Sequence, residues 1–167
     1  MGMIGNFCMA TDDELQALVA QPEGIHEFLY PDDSSSVDPA TRLDVDKAWH
    51  GIHFLLCGDA WEGDLPLGFI VSSGTPIGDE DVGYGPARAF SSEQVTEIAE
   101  ALDAITPESL KARFDRAAFE ENGIYPNVWD ESPDDCFDQY LLVYYSELKK
   151  FVQMANAAGK GILVYLN

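Results

Sequence analysis

Short apolar segments alternate with longer amphipathic segments along this chain, which is the pattern of strands interleaved with helices. The apolar segments predict four strands, at 2–10, 67–72, 87–90 and 161–166. Between them, apolar residues recur at three- and four-residue steps, which indicates helices with one buried face. The chain has 167 residues, a common size for one domain. We therefore predict a single domain over 1–167 of the α/β class, with α+β as the alternative, in which several helices flank both faces of a small mixed sheet.

Capping residues indicate where the predicted helices begin and end. Thr11 and Ser91 each stand three residues before a Glu or Gln, which is the spacing of a capping box. Thr106 precedes a proline that suits a first helical turn, and Gly58 suits the residue that closes a helix. The predicted helices are 12–20, 22–30, 44–56, 91–105, 107–122 and 134–158, with a surface loop at 31–41.

Acidic residues far outnumber basic ones. Nine Lys and Arg face 30 Asp and Glu, which gives a formal net charge of -21. Phosphate backbones and anionic lipids repel a chain with this charge, so we expect no binding to nucleic acid or to membranes. The same charge would attract a basic protein, so recognition of a basic protein partner is one function class that the composition favours.

The cysteines and the first residues indicate where the protein resides. Cys8, Cys57 and Cys136 are widely spaced and form no CxxC pair, which is typical of reduced thiols in the cytoplasm. The first nine residues lack the basic and apolar regions of a signal peptide. No apolar run has the length of a membrane span. We therefore expect a cytoplasmic protein.

Four sequence blocks resemble a known family. They are MGMIGNF at 1–7, LDVDKAWHGIHFLL at 43–56, GYGPAR at 83–88 and IYPNVW at 124–129. Together they resemble the YfbM-like family of small bacterial proteins, and the resemblance covers nearly the whole chain. It implies an α/β fold with helices flanking a sheet. Because the function of that family is unknown, the resemblance implies no activity, and it defines no catalytic residue to look for in this chain.

A polar stripe follows the predicted helix at 44–56. Asp46, His50, His53 and Cys57 recur at steps of four, three and four, and all four side chains can ligate a metal or move a proton. Asp46, His50 and His53 are thus candidate catalytic residues, and His50, His53 and Cys57 are candidate metal ligands. One helix cannot close a tetrahedral metal site, and the HExxH pattern is absent. On balance we expect no metal: the histidines flank the core and Cys57 packs as a small apolar residue.

A glycine-bearing loop at 73–88 is the second candidate region. Glycines allow close approach of a ligand to the backbone, and the loop contains Tyr84 and ends at Arg88, a lone arginine in acidic surroundings. Arginine binds carboxylates and phosphates with two parallel hydrogen bonds. With Trp49 on the neighbouring helix, Tyr84 and Arg88 are candidate ligand-binding residues. The alternative is a structural turn in which Arg88 pairs with a nearby acid.

The motifs leave two function classes open. The GxGxxG, P-loop and GxSxG patterns are absent, so no cofactor and no serine nucleophile can be identified. The first class, slightly favoured by the charge, is an acidic interaction protein that recognises a basic protein partner. The second is a small-molecule enzyme or ligand-binding domain, with a pocket between the stripe of Asp46, His50 and His53 and the loop at 83–88.

Overall fold

The computed structural model describes residues 2–167, and these residues contain one five-stranded sheet. The strands are β1 (Gly5–Ala10), β2 (Arg42–Asp44), β3 (Thr75–Pro76), β4 (Arg88–Phe90) and β5 (Gly161–Leu166). They lie in the order β2-β1-β5-β4-β3. Every neighbouring pair is antiparallel, so the sheet is not the mixed sheet expected from the sequence. Strand β5, at the end of the described chain, lies in the centre.

Seven α-helices surround this sheet in residues 2–167. They are α1 (Asp12–Ala20), α2 (Ile25–Leu29), α3 (Ala48–Cys57), α4 (Ser92–Asp103), α5 (Pro107–Arg113), α6 (Arg116–Glu121) and α7 (Leu142–Ala157). A π-helical turn at Phe137–Leu141 leads directly into α7. Within the described residues, no helix combines the length and the apolar character that crossing a bilayer requires.

Helices cover both faces of the sheet, as predicted. Ile162 and Val164 of β5 belong to a large core with residues of α3, α4 and α7, whereas Leu163 and Tyr165 belong to a smaller core with residues of α1 and α2. Successive residues of a strand point to opposite faces, so one continuous apolar run can supply both cores. The α/β fold class is thereby confirmed.

Local signals placed several elements correctly. Both predicted capping boxes form: the Thr11 and Ser91 hydroxyls each accept a hydrogen bond from the amide three residues on, and the Glu14 and Gln94 side chains accept one from the amides of Thr11 and Ser91. Gly58 closes α3 in the left-handed conformation with φ of 73°. The final strand has the predicted bounds, 161–166.

Helix α3 begins at Ala48 rather than at Asp44, because the residues before it are not helical. Residues 42–44 pair with β1 instead, and Asp44 Oδ1 accepts a hydrogen bond of 2.6 Å from the Asp46 amide. Asp46 then turns the chain with φ of 49°, a conformation that short polar side chains tolerate best. Asp46 therefore precedes α3 and does not continue the stripe of His50 and His53.

The apolar segment at 67–72 forms a 3₁₀ turn at Leu67–Ile70 and not a strand. A short apolar run is compatible with either structure, and packing decides between them. Here Gly68 lies so close to the preceding loop that a Cβ atom on it would stand 2.1 Å from the Gly63 carbonyl oxygen. The turn thus packs against the loop at 58–64, which follows α3.

The predicted helix at 107–122 is two helices. Phe114 is extended, and Asp115 begins α6 by accepting a hydrogen bond of 3.0 Å from the Ala117 amide. The break packs Phe114 against Phe119 and Phe137, at ring-centroid distances of 5.1 and 5.5 Å. The partly buried Phe114 ring therefore packs among other aromatic rings at the point where the helix is interrupted.

Candidate functional site

A cleft of about 410 Å³ lies where β4 begins and β5 ends. We call it the Arg88 cleft. Its lining residues are Trp61, Ile70, Val71, Ser72, Gly74, Pro76, Tyr84, Pro86, Arg88, Tyr165 and Leu166. The loop at 83–88 supplies one wall, and the 3₁₀ turn with the residues after it supplies the other. The two candidates from the glycine-bearing loop, Tyr84 and Arg88, therefore line one cleft.

Arg88 is held by main-chain carbonyls and not by an acid. Its guanidinium donates to Phe69 O at 3.2 Å, to Ser73 O at 2.5 Å and to Ile70 O at 2.5 Å. Among residues 2–167, no carboxylate forms an ion pair with it, so the predicted pairing with a nearby acid is wrong. Burial lowers the pKa of Arg88 to about 10, which still leaves the group charged at neutral pH.

The lining of the Arg88 cleft has an unusual electrostatic character for this chain. It contains one arginine and, within the described residues, no Asp or Glu, although the chain has 30 of them. Carbonyl dipoles hold the guanidinium in place but do not neutralise its charge. The cleft lining therefore carries one positive charge and no negative one, in a strongly anionic protein.

Two aromatic side chains stand at the rim of the Arg88 cleft. Trp61 is 54% exposed and Tyr84 is 51% exposed, which is high for such large apolar rings. The Trp61 ring lies 4.4 Å from the His50 ring, so the histidine side of α3 supports it from behind. The rim thus offers two aromatic rings for stacking near a half-buried guanidinium.

His50 is fully buried, and the backbone occupies both of its ring nitrogens. Nδ1 accepts a hydrogen bond of 2.9 Å from the Tyr125 amide, so the proton must be on Nε2, which donates to Ala60 O at 2.7 Å. Burial lowers the pKa of His50, which favours this neutral form. His50 therefore ties the loop carrying Trp61 to the loop at 124–126.

His53 is also fully buried and holds the same loop. Its Nε2 donates to Glu62 O at 3.2 Å, and Nδ1 lies 3.8 Å from the Cys57 sulfur. The pKa of His53 is lowered to about 4, chiefly by burial; Glu62 O and Asp59 act in the opposite direction, and His50 and Arg88 act in the same direction as burial. Burial likewise raises the pKa of the Cys57 thiol to about 11.

The remaining candidates lie apart from the Arg88 cleft. Trp49 is completely buried, its indole N–H donates to Met3 O at 3.1 Å, and its ring stacks on His50. Asp46 accepts a hydrogen bond of 2.8 Å from the Tyr140 hydroxyl. In the part of the chain that the structure describes, no three His, Cys, Asp or Glu side chains are grouped so as to hold a metal ion.

Comparison with known proteins places this chain among relatives. The sequence profile of a family described as "Domain of unknown function (DUF1877)" matches residues 1–165. The chain belongs to this family. A solved structure of similar fold is YfbM from Escherichia coli, a protein of unknown function, with a TM-score of 0.71 and 22% sequence identity. The match covers 98% of this chain and 99% of that one.

The predicted membership of a YfbM-like family is thus confirmed. At 22% identity, this chain and YfbM of E. coli are different proteins of similar fold. Comparison with curated proteins finds no match. Both descriptions state an unknown function, so membership of the family gives the fold and leaves the activity to be argued from the cleft.

For this DUF1877 protein, sequence reasoning missed Trp61 and Tyr165 in the Arg88 cleft. Trp61 lies in a polar loop with no apolar periodicity. The one signal that could have identified it is the presence of a tryptophan among Gly, Asp and Glu residues in a loop. Tyr165 belongs to a continuously apolar strand, and such a sequence gives no sign that the Tyr165 ring reaches a cleft.

Proposed function

We propose that this protein binds a small organic anion with a ring or another flat apolar part, in the Arg88 cleft. One observation carries the proposal: a half-buried guanidinium without an acidic partner lines a cleft that, among residues 2–167, contains no acid and has two exposed aromatic rings at its rim. A carboxylate or phosphate would supply the missing counter-charge.

The hydrogen bonds of Arg88 support this role. Arginine has more N–H donors than its three carbonyl bonds use, so donors remain for a ligand. The same bonds fix the plane of the guanidinium before a ligand arrives, which reduces the entropy lost on binding. Such a planar, oriented fork suits a carboxylate or a phosphate better than a flexible lysine would.

The aromatic rim supports a ligand with a flat apolar part. The hydrogen bonds of His50 and His53 to the loop at 58–64 hold Trp61 in place, so these two histidines affect the cleft indirectly. Stacking on a ring that is already positioned costs little side-chain entropy. In this arrangement the two histidines are positioning residues and Trp61 is a contact residue.

Binding of benzoate and of phenyl phosphate tests the proposal, with benzyl alcohol as the neutral probe. In NMR titrations of the uniformly ¹⁵N-labelled protein, we expect the two anions to bind about tenfold more tightly than benzyl alcohol. Tyr84→Ala and Trp61→Ala should each weaken anion binding by about tenfold, because stacking is lost.

The matched control is Met154→Ala, since Met154 is 44% exposed and does not line the Arg88 cleft. This variant should bind both anions as the unmodified protein does. Equal affinities for Tyr84→Ala, Met154→Ala and the unmodified protein would contradict the proposal, as would equal affinity for benzoate and benzyl alcohol.

A second candidate function is recognition of a basic protein partner. The observation that favours it is the state of the acids: none is fully buried, and only three ion pairs involve acids in residues 2–167. Most of the -21 charge therefore faces solvent. Charge of this kind steers basic proteins and is screened by salt.

Co-purification at low and at high salt tests this second function. A specific partner should have a high isoelectric point, rebind as a purified protein, and bind at least tenfold more weakly at 500 mM than at 50 mM NaCl. An acidic partner, or a purified partner whose affinity does not change with salt, would contradict it.

We also propose a cytoplasmic location. The three cysteines form no disulfide within residues 2–167, and burial raises the pKa of the Cys8 and Cys57 thiols to about 11, so both stay protonated. Such thiols are typical of a reducing compartment. Fractionation of cells that produce the protein checks this location, and recovery outside the cytoplasmic fraction would oppose it.

A further inference from the structure

Arg42 lies on the opposite face of the sheet from Arg88. It pairs with Cys8 of β1, whose side chain belongs to the smaller core, whereas Arg88 pairs with Val164, which belongs to the larger core. Residues paired directly across neighbouring strands point to the same face of a sheet. The surroundings of Arg42 are therefore a separate region from the Arg88 cleft.

A cavity of about 440 Å³ lies beside Arg42, where α2 ends and the loop at 31–41 begins. We call it the Arg42 cavity. Its walls are mostly apolar, and its volume is within the range of small-molecule sites. Of its lining residues, Tyr165 alone also lines the Arg88 cleft. The lining residues are Leu29, Tyr30, Pro31, Ser34, Val37, Pro39, Arg42 and Tyr165.

The contacts of the Arg42 guanidinium place it at this cavity. Nη1 donates a hydrogen bond of 3.2 Å to Leu29 O, and Nη2 donates one of 2.9 Å to Phe28 O, so the group caps the last turn of α2. Burial raises the pKa of Tyr165, and the charge of Arg42 acts in the opposite direction, which requires the two side chains to be near each other. Both Leu29 and Tyr165 line the cavity.

The hydrogen bonds of Arg42 leave most of its donors unused. Arginine has five N–H donors, and the bonds to Phe28 O and Leu29 O occupy two of them. Nε is buried, yet it donates to no atom of residues 2–167. A charged group that is withdrawn from water without enough acceptors costs free energy. A ligand that brings an acceptor to the guanidinium would reduce this cost.

No acid neutralises Arg42, although the loop at 31–41 contains three. Within residues 2–167, Arg42 forms no ion pair. Asp33 and Asp38 each accept a hydrogen bond from an amide two residues further along the loop, so they cap turns of the loop itself. The described lining of the cavity contains one cation and no Asp or Glu, so its positive charge has no counter-charge within ion-pair distance.

We propose that the Arg42 cavity binds a small aliphatic monocarboxylate, with the carboxylate on the Arg42 guanidinium and the hydrocarbon part against Leu29, Val37 and the two prolines. One arginine balances one negative charge, and its planar fork suits a carboxylate. A second anionic group would meet apolar walls, at a cost in free energy. This inference does not depend on the function proposed for the Arg88 cleft.

Titration with 3-methylbutanoate tests the inference, with 3-methylbutan-1-ol as the neutral analogue. The chain has four arginines, so ¹⁵N NMR should show four Nε–H signals, and Arg42→Lys and Arg88→Lys identify the signals of those two residues. We expect 3-methylbutanoate to shift the Arg42 signal and the amide signals of the loop at 31–41. Arg42→Met should weaken binding of the acid by about tenfold and leave binding of the alcohol unchanged, because the alcohol has no charge to pair.

A second variant keeps the test decisive if Arg42→Met also loosens the end of α2. Val37→Ser removes part of an apolar wall and should weaken binding of both probes by about threefold. Val143→Ser is its control, because Val143 is exposed on α7 and does not line the cavity. The inference is overturned if 3-methylbutanoate at about 20 mM leaves the Arg42 signal unmoved or shifts the Arg88 signal alone, or if Val37→Ser binds it as Val143→Ser does.

Discussion

Replacing Arg88 by methionine is expected to lower the free energy of unfolding by about 3–5 kcal/mol. Hydrogen bonds from a charged group contribute about 1.5–3 kcal/mol each, and Arg88 makes three, to Phe69 O, Ser73 O and Ile70 O. Methionine fills a similar volume but donates no hydrogen bond, so two carbonyls of the 3₁₀ turn and the Ser73 carbonyl lose their partner. Water entering the open cleft recovers part of this loss, which is why the expected cost is below the simple sum.

Urea denaturation followed by far-ultraviolet circular dichroism measures this effect, and Arg113→Met is the matched control. Arg113 donates to a single main-chain carbonyl, Leu55 O at 3.0 Å, so its loss should cost about 1–2 kcal/mol. Arg88→Lys keeps the charge but not the fork, and it should lie between the two. If Arg88→Met costs no more than Arg113→Met, the three bonds do not hold the turn in solution.

Acidification from pH 7 to pH 5 is expected to destabilise the protein by about 2 kcal/mol through His53 alone. The pKa of His53 is lowered from 6.5 to about 4 in the folded protein, chiefly by burial. Above pH 6.5 the ring is neutral in both states and pH has no effect through it. Below pH 6.5 the unfolded chain takes up a proton that the folded protein does not, so stability falls as pH falls. His50 acts in the same direction, because burial lowers its pKa too.

The carboxylates also change the free energy of unfolding as the pH falls. Comparing the pH dependence of variants separates the contribution of His53 from theirs. His53→Gln can still donate to Glu62 O but does not titrate, so its stability should fall by about 2 kcal/mol less between pH 7 and pH 5. His26→Gln is the control, because His26 is exposed on α2. Equal losses of stability in His53→Gln, His26→Gln and the unmodified protein would show that His53 is accessible to protons in the folded state.

Local sequence signals predicted the elements whose limits are set by their own residues. The capping boxes at Thr11 and Ser91 and the glycine at 58 act within one helical turn, so they could be read without knowledge of the fold. The segment at 67–72 could not, because its conformation depends on contact between Gly68 and Gly63 and on carbonyl bonds from Arg88. Such contacts join residues whose proximity is a result of folding.

The candidate site was predictable in part for the same reason. Tyr84 and Arg88 are close in sequence and share a loop, so their presence in one cleft follows from local structure. The spacing of His50 and His53 was noticed correctly, but their partners are backbone atoms of Ala60, Glu62 and Tyr125, which no periodicity reveals. Their effect on the cleft passes through Trp61, a residue with no pattern of its own.

The central position of β5 affects how the protein is made. This strand is the last of the five to leave the ribosome, yet it separates β1 from β4 and forms hydrogen bonds with both. Until residues 161–166 emerge, the nascent chain has two strand edges with no neighbour between them and an apolar surface open to solvent. The sheet is thus completed only after synthesis of the domain, and during that interval the strong mutual repulsion of its acidic side chains opposes aggregation.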